Sequence, residues 1–242
     1  MARSFVLGGE LAIERVGVGT NRIEDNERSK NFLRAALDLG VNFIDTADIY
    51  SMRISEPTIG STLGADPRAV IAPKGGYHDG SPENVAKAIE QSRKNLQRDV
   101  LDLYYLHKPD DRFPIEQSLD PIVAAKQDGR IRQIGLSNVT LDQIDRVRKF
   151  TKVAAVQNVY NLENTENNDV IDYCERHEIA FVPYFPLRSS ERADRLAQKL
   201  GVPRTRVIIA AMLQRSPVVT PIPGTLNADH LASNIAAADL TI

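Results

Sequence analysis

Val41-Asn42-Phe43-Ile44-Asp45-Thr46-Ala47-Asp48-Ile49-Tyr50-Ser51 is the stretch on which the fold turns. It opens as a short apolar strand, Val41 to Ile44, and then presents two carboxylates and a phenol within six residues. A strand that delivers ionisable groups at its carboxyl end reads as part of a site. Taken alone, Asp45 reads equally well as the cap of the next helix. Three later strands end in the same way: Ala69 to Ala72 runs into Pro73-Lys74-Gly75-Gly76, Val100 to Leu106 into His107, and Ile131 to Leu136 into Ser137-Asn138.

Around this stretch, short apolar strands alternate with helical patterns. Phe5 to Ala12, with Gly8-Gly9 at its centre, predicts a small hairpin. Counted from Arg15 to Gly19 there are eight strands, the last three at Val153 to Val156, Ile179 to Val182 and Val218 to Thr220. Asp25 or Asn26 is placed to cap a helix to Leu39, Ser81-Pro82 to start one, and Thr140 with Gln143 to form a capping box. Asn168 is expected to cap Asp169 to His177, and Asn227 the last helix. Pro121 lies inside the helical pattern from Ile115 to Asp128, which predicts a kink or a late start. Apolar strands without a clean inside/outside alternation suit a parallel sheet covered on both faces. Eight right-handed βα crossovers close such a sheet into a (β/α)8, or TIM, barrel. Residues 1–242 therefore read as a single α/β barrel domain with a short N-terminal β-hairpin. The alternative is an open doubly wound sheet, against which no strand is followed by Gly-x-Gly-x-x-Gly.

Composition narrows the function. A net charge of −2 gives no field to draw nucleic acid or an anionic membrane, and 42% apolar with 26% charged residues is ordinary for a soluble enzyme. No apolar run approaches the ~20 residues of a spanning helix, and Met1-Ala2-Arg3-Ser4 does not begin a secretory signal, so a cytoplasmic protein is expected. Cys174, the single cysteine, falls in an apolar helical pattern and reads as a core thiol. The histidines at 78, 107, 177 and 230 show no metal-ligand spacing, so no metal is expected.

In a barrel of this kind, polar residues at strand carboxyl ends converge on one rim. Here that rim would hold Asp45, Tyr50, Lys74, His107, Ser137, Asn138, Gln157 and Tyr184. Phe43 to Tyr50, Pro73 to Gly76, Leu103 to Pro109, Ile134 to Asn138, Val156 to Asn161 and Val218 to Thr225 together resemble the aldo-keto reductases, in order and over nearly the whole chain. The resemblance implies a catalytic tetrad of Asp45, Tyr50, Lys74 and His107. Reduction of a carbonyl needs a hydride on carbon and a proton on oxygen, and a phenol of pKa ~10 is a reluctant donor. A lysine cation ~4 Å away contributes up to ~4 kcal/mol, roughly three pKa units, so Lys74 is expected to ease proton transfer from Tyr50. Asp45 would hold Lys74 charged, and a neutral His107 would orient the substrate oxygen.

The same resemblance implies a nicotinamide cofactor, NADPH by expectation with NADH left open. Ser137, Asn138 and Gln157 match the positions that bond the nicotinamide carboxamide, and Tyr184 the aromatic that stacks on its ring. Phe185, Pro186, Leu187 and Ile222 belong to the same cofactor-binding set, and Gly224, Thr225, His230 and Asn234 match the segment holding the adenosine phosphates and adenine. Gly224 and His230 depart from members that place lysine and arginine there for the 2′-phosphate. The connections Tyr77-His78-Asp79-Gly80 and Arg188-Ser189-Ser190 are short for the family, which implies either an open pocket or loop residues absent from the chain. The expected partner is a small carbonyl compound. A dehydrogenase working on a sugar or polyol, and a cofactor-sensing regulatory subunit of the same fold, are the other readings.

Overall fold

A computed structural model of the chain describes residues 2–188 and 190–242. The chain opens with the expected hairpin, β1 (Ser4–Leu7) antiparallel to β2 (Leu11–Glu14). Gly8 and Gly9 take positive φ in its turn. The alternating part follows: β3 (Val18–Gly19), α1 (Glu27–Asp38), β4 (Phe43–Asp45), α2 (Ser55–Leu63), β5 (Val70–Ala72), β6 (Lys74–Gly75), α3 (Pro82–Leu96), β7 (Leu101–Leu106), α4 (Ile115–Gln127), β8 (Ile131–Ser137), α5 (Leu141–Arg148), β9 (Ala155–Gln157), α6 (Asn168–Arg176), β10 (Ala180–Phe181), α7 (Glu191–Leu200), α8 (Arg204–Arg215) and α9 (Ala228–Ile235).

Among the described residues, the strands after the hairpin all pair in parallel, and the isolated bridge between Asn161 and Asn164 is antiparallel. β3, β4 and β5 form one run, and β6 to β10 pair in sequence order as another. β5 and β6 are one strand interrupted at Pro73, which has no N–H to donate but still accepts from the Tyr105 amide at 3.0 Å. The eighth strand expected at Val218 to Thr220 is reduced to a single bridge between Phe181 and Val219. Its hydrogen bonds nevertheless complete the ring: Phe181 N–H to Val218 O, Thr220 N–H to Phe181 O, and Gly17 N–H to Pro221 O. The buried Arg15 guanidinium fastens this seam by donating to the carbonyls of Val219, Leu213 and Ser216. The barrel is closed.

Strand parity positions the site. Phe43, Val70, Ala72, Leu103, Tyr105, Ala155, Ala180 and Val182 form one buried cluster inside the barrel, with Leu7, Leu11 and Ile13 of the hairpin. Ile44, Ile71, Tyr104 and Leu136 belong to a second cluster between the strands and the helices. Side chains two apart on a strand share a face. Asp45 therefore follows Phe43 inward, Lys74 follows Ala72, His107 follows Tyr105, and Gln157 follows Ala155.

Most caps are as the sequence predicts: Asn26, Ser81 and Asn227 accept from their first turns, and Thr140 with Gln143 closes a capping box. Three details differ. α4 starts at Ile115 and carries Pro121 within it, so the late start is not taken. Asn168 is the first residue of α6 and does not cap it; its Oδ1 accepts from the Tyr160 hydroxyl and Arg215 instead. The four residues from Tyr50 to Arg53 form a tight turn whose backbone is left-handed at Ser51, Met52 and Arg53 (φ 50°, 53° and 71°). L-residues pay about 1–2 kcal/mol each for that conformation, and no glycine marks it in the sequence.

Candidate active site

Lys74 Nζ lies at the centre of the inward-facing polar groups. The lysine is fully buried, and its ammonium donates to Asp45 Oδ1 at 2.7 Å, to the Thr46 carbonyl at 2.7 Å and to the Tyr50 hydroxyl at 3.2 Å. An ammonium has three N–H donors, so all three are used. Because the Tyr50 oxygen accepts from Lys74, its own O–H is free to be donated elsewhere. Gln157 Nε2 occupies the second oxygen of Asp45 at 2.7 Å. His107 completes the group, its ring 6.0 Å from that of Tyr50 and nearly perpendicular to it.

Burial dominates the protonation of these groups. It works against charge on Lys74, but Asp45 and Tyr50 reverse the effect and hold the ammonium above the usual lysine value. Burial raises Asp45 above the usual carboxylate range, and Lys74 and Gln157, which donate to its two oxygens, oppose the rise without cancelling it. Burial, with the Lys74 ammonium nearby, pushes His107 down to about 2, so the imidazole is neutral. Two opposing effects act on Tyr50. Lys74 lowers the phenol, but burial outweighs it and the net direction is upward. The phenol is thus held in its protonated, donor form.

These groups open onto a cavity of about 640 Å³ whose wall includes Asp45, Tyr50, His107, Ser137, Asn138 and Gln157. Tyr77 stands over His107 with ring centroids 4.8 Å apart. Gly19 runs close under the wall: a Cβ there would meet the Ile222 carbonyl at 2.9 Å. Two arginines, Arg22 and Arg188, line the same wall, and neither side chain has an ion-pair or hydrogen-bond partner among the described residues.

A profile of the aldo/keto reductase family matches residues 15–191 of the sequence. The chain belongs to the aldo/keto reductase family. An uncharacterised oxidoreductase of Schizosaccharomyces pombe is 34% identical over 258 aligned residues, covering 97% of this chain and 84% of that protein. Pyridoxine 4-dehydrogenase of Escherichia coli is 33% identical, covering 99% of this chain and 94% of that enzyme. Among solved structures, an aldo-keto reductase of Klebsiella pneumoniae in complex with NADPH superposes with a TM-score of 0.88 at 25% identity, over all of this chain and 92% of that one.

In this aldo/keto reductase the residues expected to bind a cofactor fall into two groups. Ser137, Asn138, Gln157, Tyr184, Phe185, Pro186, Leu187, Ile222 and Gly224 line the cavity. Asn138, left-handed at φ 58°, spans two neighbours: its Nδ2 donates to the His107 carbonyl at 3.0 Å and its Oδ1 accepts from the Tyr184 hydroxyl at 2.7 Å. Thr225, His230 and Asn234 are not on the cavity wall. Thr225 accepts from the Asn227 amide, His230 is exposed in the first turn of α9, and Asn234 is buried on that helix. The sequence reading missed Tyr77, Arg22 and Arg188 as wall residues. Arg22 and Arg188 are legible in the sequence only as charges, because no motif residue at either position marks a site. The short connection through Arg188 runs to Ser189, which lies outside the described residues.

Proposed function

We propose that this aldo/keto reductase reduces an aldehyde or ketone to the alcohol, with NADPH as reductant and Tyr50 as the proton donor. The contact that supports this reading is the one from Lys74 Nζ to the Tyr50 hydroxyl, made while Asp45 holds the same ammonium. That arrangement occupies a lone pair of the phenol and leaves its proton for the substrate. His107, neutral and at the same opening, can donate to the carbonyl oxygen and fix its direction. The alkoxide that develops on the substrate is a much stronger base than phenolate, so the Tyr50 proton passes to it. Lys74 then stabilises the phenolate left behind.

The residues present fit a nicotinamide dinucleotide. The amides of Asn138 and Gln157 would meet its carboxamide, the Tyr184 ring would stack on its planar ring, and Arg22 and Arg188 would face its phosphates. When bound, the cofactor supplies the hydride. The Klebsiella neighbour carries NADPH, and the unpaired arginines supply cations that positions 224 and 230 lack.

Oxidation of an alcohol is the second reading, suggested by the dehydrogenase name of the E. coli relative. It is the microscopic reverse of the reduction and would use Tyr50, as a phenolate held by Lys74, as the base. The test is NADPH consumption with a reactive aromatic aldehyde at neutral pH, set against NADP reduction with the matching alcohol. Failure of both would overturn the reading and favour a cofactor-sensing role.

A further inference from the structure

We propose that Glu56 is a positioning residue for Tyr50: its buried side chain, gripped by α3, holds the strained left-handed turn that carries the phenol. This rests on the role given to Tyr50 above. The turn from Tyr50 to Arg53 places three consecutive non-glycine residues at positive φ, a conformation that persists only where the surroundings impose it. Met52, in the middle, is 88% exposed, so its side chain does nothing to hold the turn. On the amino side, Asp48 N–H bonds the Lys74 carbonyl and Tyr50 N–H the Ala47 carbonyl. Within the turn the Ser51 hydroxyl donates to the Asn21 carbonyl at 3.2 Å, and on the carboxyl side the further restraint comes from the start of α2.

Glu56 supplies it. The residue is 1% exposed, with Oε1 accepting from the Ser92 hydroxyl at 2.8 Å and Oε2 from the Asn95 amide at 3.1 Å. Both partners lie on α3. The two helices have no slack between them, since a Cβ on Gly60 would fall 2.1 Å from the Asn95 carbonyl. Ser55, one residue earlier, is tied by hydroxyl contacts to Thr20 at 2.9 Å and Thr46 at 3.0 Å. Burial raises the Glu56 carboxyl to about 7, with Asp48 adding to the effect and Ser92, Asn95 and Lys74 opposing it; Tyr104 faces the same pocket. A carboxyl buried with no ion-pair contact among the described residues is unfavourable for packing alone. Its two hydrogen bonds to α3 are what it contributes here. Without them the turn relaxes, and the Tyr50 hydroxyl leaves Lys74 while the cofactor-facing strands stay in place.

The experiment compares Glu56→Ala, Glu56→Gln, Met52→Gly and the Glu56→Ala/Met52→Gly double variant in the full chain. For Glu56→Ala, kcat with an aromatic aldehyde should fall roughly 30-fold or more while the NADPH Kd stays within about threefold. Glu56→Gln, which keeps the shape and one acceptor, should retain about a third of kcat or better. Met52→Gly removes strain, so it should restore roughly fivefold of the loss in the double variant. Near-wild-type kcat in Glu56→Ala, a parallel loss of cofactor affinity, or no restoration by Met52→Gly would each overturn the proposal. If Glu56→Ala does not fold, Ser92→Ala/Asn95→Ala leaves the carboxyl unheld and should cost about tenfold in kcat; full activity there overturns it. If the wild-type chain reduces no aldehyde, the reading of function has failed on its own. A crystal structure of the variant then decides this proposal: a Tyr50–Lys74 separation beyond hydrogen-bond reach, about 3.5 Å, supports it, and an unchanged contact ends it.

Discussion

Gln157 donates its side-chain amide to Asp45 Oδ2 at 2.7 Å, across 112 positions of sequence. Lys74 takes the other oxygen at the same distance. Asp45 is therefore clamped between an ammonium and an amide, and the amide belongs to a residue that also faces the cavity. Gln157 links the Asp45–Lys74–Tyr50 group, proposed above to deliver the proton, to the wall on which a cofactor would lie.

Breaking the clamp from the acid side should be severe. Asp45→Asn leaves a fully buried Lys74 without its counter-ion, and removal of one partner of a buried pair costs about 3–5 kcal/mol. Urea denaturation should show that loss, together with a drop in kcat as Lys74 gives up its proton. Unchanged stability would mean that Lys74 finds another acceptor.

Tyr50→Phe removes the donated proton and one of the three acceptors of Lys74, while leaving the Asp45 and Thr46 contacts in place. We expect a loss of about 10²–10⁴ in kcat with cofactor affinity within about twofold, measured by stopped-flow reduction and by fluorescence titration of NADPH. Near-wild-type turnover by that variant would reject Tyr50 as the acid.

His107 should leave no trace near its ordinary pKa in the activity profile. Burial holds it at about 2, so kcat/KM should show no limb around pH 6.5. Stability is affected in one direction only. Above about 6.5 the imidazole is neutral in both folded and unfolded chains, and nothing changes. Below that value the unfolded chain takes a proton that the folded one refuses, so stability falls by up to roughly 1.4 kcal/mol per pH unit. His107→Gln should remove this slope in denaturant titrations run between pH 6.5 and 4.5, the window set by about 6.5 unfolded and the lowered folded value.

Cofactor preference should respond at position 224. A Cβ added to Gly224 meets Asn21 Oδ1 at 3.5 Å and the Gly19 carbonyl at 3.6 Å, ordinary contacts that leave room for a longer side chain. Gly224→Lys should therefore raise the NADPH-to-NADH ratio of kcat/KM by about tenfold, and Arg22→Ala should lower affinity for both cofactors in a salt-dependent way. An unmoved ratio would show that the 2′-phosphate does not lie near residue 224.

The barrel could be read directly because its code is local. Each strand is a short apolar run, each helix carries its caps within three or four residues, and parity along β4, β7 and β9 aims Asp45, His107 and Gln157 at the same interior. The types of residue needed for proton transfer were visible at those strand ends for the same reason. The balance of forces among them was not. Whether Lys74 or burial governs the Tyr50 phenol depends on how much water the closed ring excludes, a property of the whole packed interior. The left-handed turn after Tyr50 has no glycine to announce it, and it is imposed by contacts with strands and helices distant in sequence. Gln157 turns to Asp45, and Arg22 joins Arg188 on one wall, only because closure of the ring brings separate strand ends within a few ångströms of one another. Periodicity and residue type can be read along a chain, whereas desolvation and convergence exist only after it has closed on itself.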